Sequence, residues 1–78
     1  MTAKQVDHLV KMAEQIAMNL GAGQDDAGAQ RTAEHMRRFW TPAMCRQLVL
    51  FWRAGGEVSA VVAAALQQLD EQQQRGAS

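Results

Sequence analysis

The apolar positions of this chain fall at helical spacing in four blocks. Val6, Leu9, Val10, Ala13, Ile16, Ala17 and Leu20 recur at three- and four-residue steps, which predicts an amphipathic helix from about residue 4 to 20, with Gly21 as its stop. GAGQDDAG, residues 21 to 28, reads as a turn-rich connection whose aspartates suit the positive N-terminal end of the next helix. That second helix is expected from Asp26 or Ala27 to Phe39 or Trp40. Ala29, Ala33, Met36 and Trp40 share one of its faces and Arg31, Glu34 and Arg38 another, with Glu34 and Arg38 at ion-pair spacing. A third helix is expected from Pro42 to near Ala54, where Gly55 and Gly56 break it. Ser59 then caps a fourth from about Ala60 to Gln72, with Val62, Ala65, Leu66 and Leu69 facing inward. The closing QQQRGAS is expected to fray. No strand alternation, internal repeat or heptad run is present. The expected fold is all-α: one domain over residues 1–78, ordered from about 4 to 72, built as a small bundle of about four short helices or as two packed helical hairpins.

The segment from His35 to Met44, HMRRFWTPAM, joins the second and third blocks and holds two arginines, two adjacent aromatics and the only proline. Thr41 and Pro42 are the residue types of an N-cap and a first helical position, so the segment is a helical corner. Beyond it, Leu48 to Trp52 runs without a polar interruption, and a run of that length touches every side of a helix. A chain of 78 residues removes only about 60% of its unfolded surface from water. It cannot surround one helix completely, so part of the third helix should stay exposed. Exposed apolar area beside arginine and tryptophan has the composition of a protein interface, and the alternative is a packed core with one or two stray surface hydrophobes. The candidate partner contacts are Arg37, Arg38, Phe39, Trp40, Phe51 and Trp52. They cannot all lie on one surface, since Trp40 aligns with Ala33 and Met36 as a core residue would, whereas Arg38 lies opposite with Arg31.

Charge changes this picture little. Eight basic and eight acidic residues give a formal net charge of zero, which removes the simplest argument for nucleic acid or anionic lipid. Five of the eight basic residues are nevertheless arginines between Arg31 and Arg53, where the only acid is Glu34, and this keeps a helix-turn-helix DNA-binding reading as an alternative. No run approaches the roughly 20 apolar residues that cross a bilayer, and the opening MTAKQVDHLV lacks a signal-peptide core, so the expected location is the cytoplasm. The lone Cys45 fits a reducing compartment.

Candidate chemistry is sparse. His8 and His35 have no second ligand three or four residues away, so zinc has no spacing argument, and they read as surface or capping residues. Cys45 with either histidine could formally supply a nucleophile and base, but a small apolar residue beside Met44 reads as buried. Met12, Met18, Met36 and Met44 suggest either an adaptable groove or core filling, the latter favoured. No phosphate-binding glycine loop or paired-carboxylate site is present, and no catalytic, metal or cofactor-binding residue is assigned.

LVKMAEQIA from Leu9 to Ala17, HMRRFWTPAM from His35 to Met44, AGG from Ala54 to Gly56 and VVAAAL from Val61 to Leu66 occur in the order found in one family. The chain resembles the delta subunit of NAD-dependent formate dehydrogenase over roughly residues 6 to 69, departing from its pattern at Ala60 and Ala63. The resemblance implies a small, cofactor-free accessory subunit of a cytoplasmic molybdenum- or tungsten-containing enzyme. In such complexes the alpha subunit carries a bis-molybdopterin guanine dinucleotide centre and iron-sulfur clusters, while beta and gamma subunits carry flavin, further clusters and NAD binding. One cysteine agrees with that division, because such clusters normally take about four cysteine ligands. The expected function is therefore non-catalytic: binding the catalytic alpha subunit and supporting holoenzyme assembly or stability, without nucleic acid or membrane partners. A transient maturation chaperone for cofactor insertion is the first alternative, and the helical DNA-binding regulator the second.

Overall fold

The computed structural model describes residues 3–20 and 26–76 of the chain, with side chains over 5–20 and 26–72. The described residues form four helices and no strand: α1 Ala3–Leu20, α2 Asp26–Phe39, α3 Pro42–Arg53 and α4 Ala60–Gly76. Several of the boundaries have a local cause. Asp26 places a carboxylate in the first turn of α2, where the helix dipole favours it. Thr41 is the N-cap of α3: its Oγ1 accepts the Met44 backbone N–H at 3.2 Å, and Pro42 occupies the first helical position, which needs no donor. Ser59 Oγ accepts the Val62 N–H at 3.3 Å at the start of α4. That helix continues through Gly76, past the end expected at Gln72. Gly21 and Asp25, expected to stop α1 and cap α2, lie outside the described residues.

α3 ends in a double turn of hydrogen bonds. Gly55 N–H donates to Trp52 O at 3.0 Å and Gly56 N–H to Phe51 O at 2.9 Å, the 5→2 and 6→1 pair of a Schellman motif. Gly55 supplies the left-handed residue this motif needs, at φ 99°. Gly56 is required for space instead, because a Cβ there would run into the Phe51 ring.

The helices pack as two hairpins, α1 with α2 and α3 with α4, and the largest face between them joins α2 to α4. The inward side of α2 is made of small residues, with Gly28, Ala29, Thr32 and Ala33 all buried ahead of Met36. Thr32 is the buried polar residue the apolar pattern passed over. Its Oγ1 donates to the Gly28 carbonyl one turn back at 2.9 Å, so burial leaves no unsatisfied hydroxyl. Leu48 and Val49 from α3 and Val61, Val62, Ala65, Leu66 and Leu69 from α4 complete the core with Leu9, Ala13 and Ala17 of α1.

The helices also cap one another across the bundle. Arg31 Nε of α2 donates to the carbonyl of Leu20, the last residue of α1, at 2.7 Å. Glu14 Oε2 of α1 accepts the Ser59 N–H at 2.8 Å. In a capping box that second bond comes from the third helical residue; here the residue is Val62, which has no oxygen to offer, and α1 provides the carboxylate from 45 positions away.

Candidate functional site

The corner between α2 and α3 divides its two aromatics. Trp40 N–H still bonds the Met36 carbonyl at 2.8 Å, and the indole is only 7% exposed, packed in the core with Met36, Leu48 and Leu69. Phe39 is 70% exposed, touching His35 with ring centroids 4.6 Å apart and planes tilted by 39°. Full burial of a phenylalanine is worth about 1.5–3 kcal/mol, most of which Phe39 forgoes in the isolated chain.

Trp40 forms a partition between two depressions. On one side lies an open groove of about 550 Å³ between α1 and the corner, with Met12, Ile16 and Met44 contributing apolar surface and Phe39 a wall. His8, Lys11, Gln15 and His35 supply its polar lining, and no carboxylate lines it. On the other side lies a cavity of about 260 Å³ between the corner and α4, lined by Arg37, Pro42, Cys45, Leu69 and Gln72 as well as Trp40. Arg37 Nη1 closes over that side by donating to Gln72 Oε1 at 2.6 Å.

Separation by Trp40 also decides the cysteine question. Cys45 is buried with Sγ 3.9 Å from the Met36 carbonyl, and burial pushes its thiol up from the ordinary value, toward the protonated and unreactive form. His8 and His35 belong to the groove and Cys45 to the cavity, so the structure does not bring together a thiol and an imidazole. Among the described residues no group of three or more His, Cys, Asp and Glu could hold a metal ion.

The arginine-rich stretch does not form one cationic patch. Arg31 caps α1, Arg37 bonds Gln72 and stands 4.0 Å from Glu34, and Arg53 stands 3.7 Å from Asp70 on α4. Glu34 thus meets Arg37, three residues on, rather than Arg38 at the expected fourth. Arg38 and Arg46 are exposed and make no ion pair or hydrogen bond among the described residues. Arg46 lies one turn from Leu50, which is 53% exposed, on the outward side of α3.

The six candidate contacts therefore divide into groups. Arg38 and Phe39 are accessible at the corner, Arg37 is accessible but engaged with α4, and Trp40 is a core residue whose remaining exposed edge lines both depressions. Phe51 and Trp52 are half-buried against the core at the far end of α3, about 15 Å along the helix axis from Pro42. The contribution of α1 was hidden in the sequence, because Met12 and Ile16 both pack against the core and line the groove. Met36 fills the core and Met44 is half-buried, whereas Met18 departs from the core-filling expectation at 77% exposure.

A family model described as the NADH-dependent formate dehydrogenase delta subunit FdsD matches residues 8–66. The chain belongs to this family. The matched span runs from His8 in α1 to Leu66 in α4 and includes the whole corner and every residue lining the groove, while Leu69 and Gln72 of the small cavity fall beyond it. No curated protein and no solved structure matches the chain significantly. No described helix is long and apolar enough to cross a membrane.

Proposed function

We propose that this delta subunit is non-catalytic and binds the catalytic alpha subunit of a cytoplasmic NAD-dependent molybdenum or tungsten formate dehydrogenase, supporting assembly or stability of the holoenzyme. The observation that carries this reading is Phe39, a large aromatic left 70% exposed at the wall of an apolar groove, in a chain of the delta-subunit family. A side chain so placed gains on association what the isolated fold withholds from it. Metal and cofactor chemistry belongs to the partner in this reading, since the chain's one cysteine is buried with a raised thiol pKa and its histidines lie apart from it.

The mechanism is linkage. Binding the folded partner and not its unfolded form stabilises the partner by an amount set by free concentration over dissociation constant, about 2.7 kcal/mol at a hundredfold excess over that constant. The DNA-binding reading loses ground because three of the five clustered arginines are engaged within the bundle. Coexpression of a tagged copy with the catalytic subunit, followed by purification and metal analysis, tests the proposal. Retention in active, metal-loaded enzyme supports a subunit. Retention only in metal-free enzyme turns it into a maturation chaperone, and no retention in either form overturns both.

A further inference from the structure

We infer that the groove between α1 and the α2–α3 corner is the docking site for one apolar segment of the partner subunit, a segment that carries carboxylates beside its apolar side chains. This rests on the proposed binding of the catalytic subunit and specifies where and through what chemistry it occurs. The groove is too open to enclose a small molecule and has the form that accepts the side chains of a helix or extended peptide. Its apolar surface comes from Met12, Ile16 and Met44, and thioether side chains adapt to an incoming apolar surface at low cost. Phe39 supplies the aromatic anchor.

The sign of the partner is set by the polar lining. Lys11, His8 and His35 line the groove, no carboxylate does, and Lys11 makes no ion pair or hydrogen bond among the described residues. An entering segment with aspartate or glutamate beside its apolar residues pairs that ammonium, whereas a basic one meets like charge. A second copy of this chain is disfavoured on the same ground. Its exposed Leu50 stands one turn after Arg46, which makes no ion pair among the described residues, and inserting it would bring that cation against Lys11.

The test is copurification of the chain with tagged catalytic subunit, comparing the native chain with Phe39→Ala, Lys11→Glu and Lys11→Arg, and with Leu50→Ala and Arg46→Glu on the outward side of α3. Circular dichroism of each free chain reports its fold, and the benzophenone analogue of phenylalanine at position 39 supplies a photo-crosslink to be mapped by mass spectrometry. Expected are losses of retention on the order of tenfold for Phe39→Ala and Lys11→Glu with helicity kept, native retention by Lys11→Arg, Leu50→Ala and Arg46→Glu, and a crosslink in an acid-bearing segment. Native retention of both groove variants overturns the inference while leaving the proposed function standing. A crosslink to a basic segment, or sedimentation showing that Phe39 holds together two copies of the free chain, overturns it as well. Failure of the native chain to copurify removes the proposed function and, with it, this occupant.

Discussion

Phe-Trp occurs twice in this chain, each time at the C-terminal end of a helix, and the two copies meet different fates. At residues 39 and 40 the tryptophan is buried and the phenylalanine projects into solvent; at residues 51 and 52 both are half-buried against the core. The residues just after each pair decide the difference. Thr41 and Pro42 start a new helix at once, so the chain leaves the corner without covering Phe39. Arg53, Ala54, Gly55 and Gly56 instead turn the backbone through a Schellman motif that brings Gly56 against the Phe51 ring. The same dipeptide is thus an exposed anchor before a helix start and a packing element before a glycine turn.

The contrast breaks most severely at Trp40. Trp40→Ala removes the partition between groove and cavity and should cost about 3–5 kcal/mol of stability, read as a large drop in urea midpoint or as failure to fold. Retention of the native midpoint would mean that the corner does not depend on it. The turn beneath Phe51 is next. Gly55→Ala forces a Cβ into the left-handed region at φ 99° and should cost about 1–2 kcal/mol in thermal or chemical denaturation. Thr41→Ala, which removes the cap that launches the chain away from Phe39, should cost about 1 kcal/mol, with Thr41→Asp close to native.

Cys45 tests the wall on the cavity side through pH. Burial raises its thiol above the ordinary value of about 8.5, so the folded state holds its proton longer than the unfolded one. Its contribution to stability is fully present below the unfolded thiol pKa and is lost as pH rises through the folded one. Alkaline unfolding should therefore be eased relative to Cys45→Ala once each variant is referenced to its own midpoint at pH 7, and the native thiol should resist Ellman's reagent until the chain opens. The smallest effect is the most telling for the contrast: Phe39→Ala should change stability by no more than about 0.5 kcal/mol, because the ring is 70% exposed and its contact with His35 lies at the open groove. A loss near that of Trp40→Ala would mean that Phe39 is a core residue in solution.

The elements are legible in the local order of residues. Helix periodicity, Thr41 and Ser59 as caps, Pro42 at a first position and the glycine stop after α3 all appear as expected, because each is decided by hydrogen bonds within about one turn of the chain. The all-α fold and the family resemblance arise from the same local order. Of the candidate site, the exposure of Phe39 and Arg38 was compatible with the pattern but not dictated by it. Packing between helices, which local order does not specify, bonds Arg37 to Gln72, completes the cap of α4 with Glu14, sets Arg31 on the end of α1, and turns one edge of α1 into a groove wall through Met12 and Ile16. The width of the apolar arcs accounts for this division. α1 and α3 carry more apolar surface than four short helices can cover, so periodicity says that some of it stays open, and only the packing of α1 and the corner around Trp40 says which.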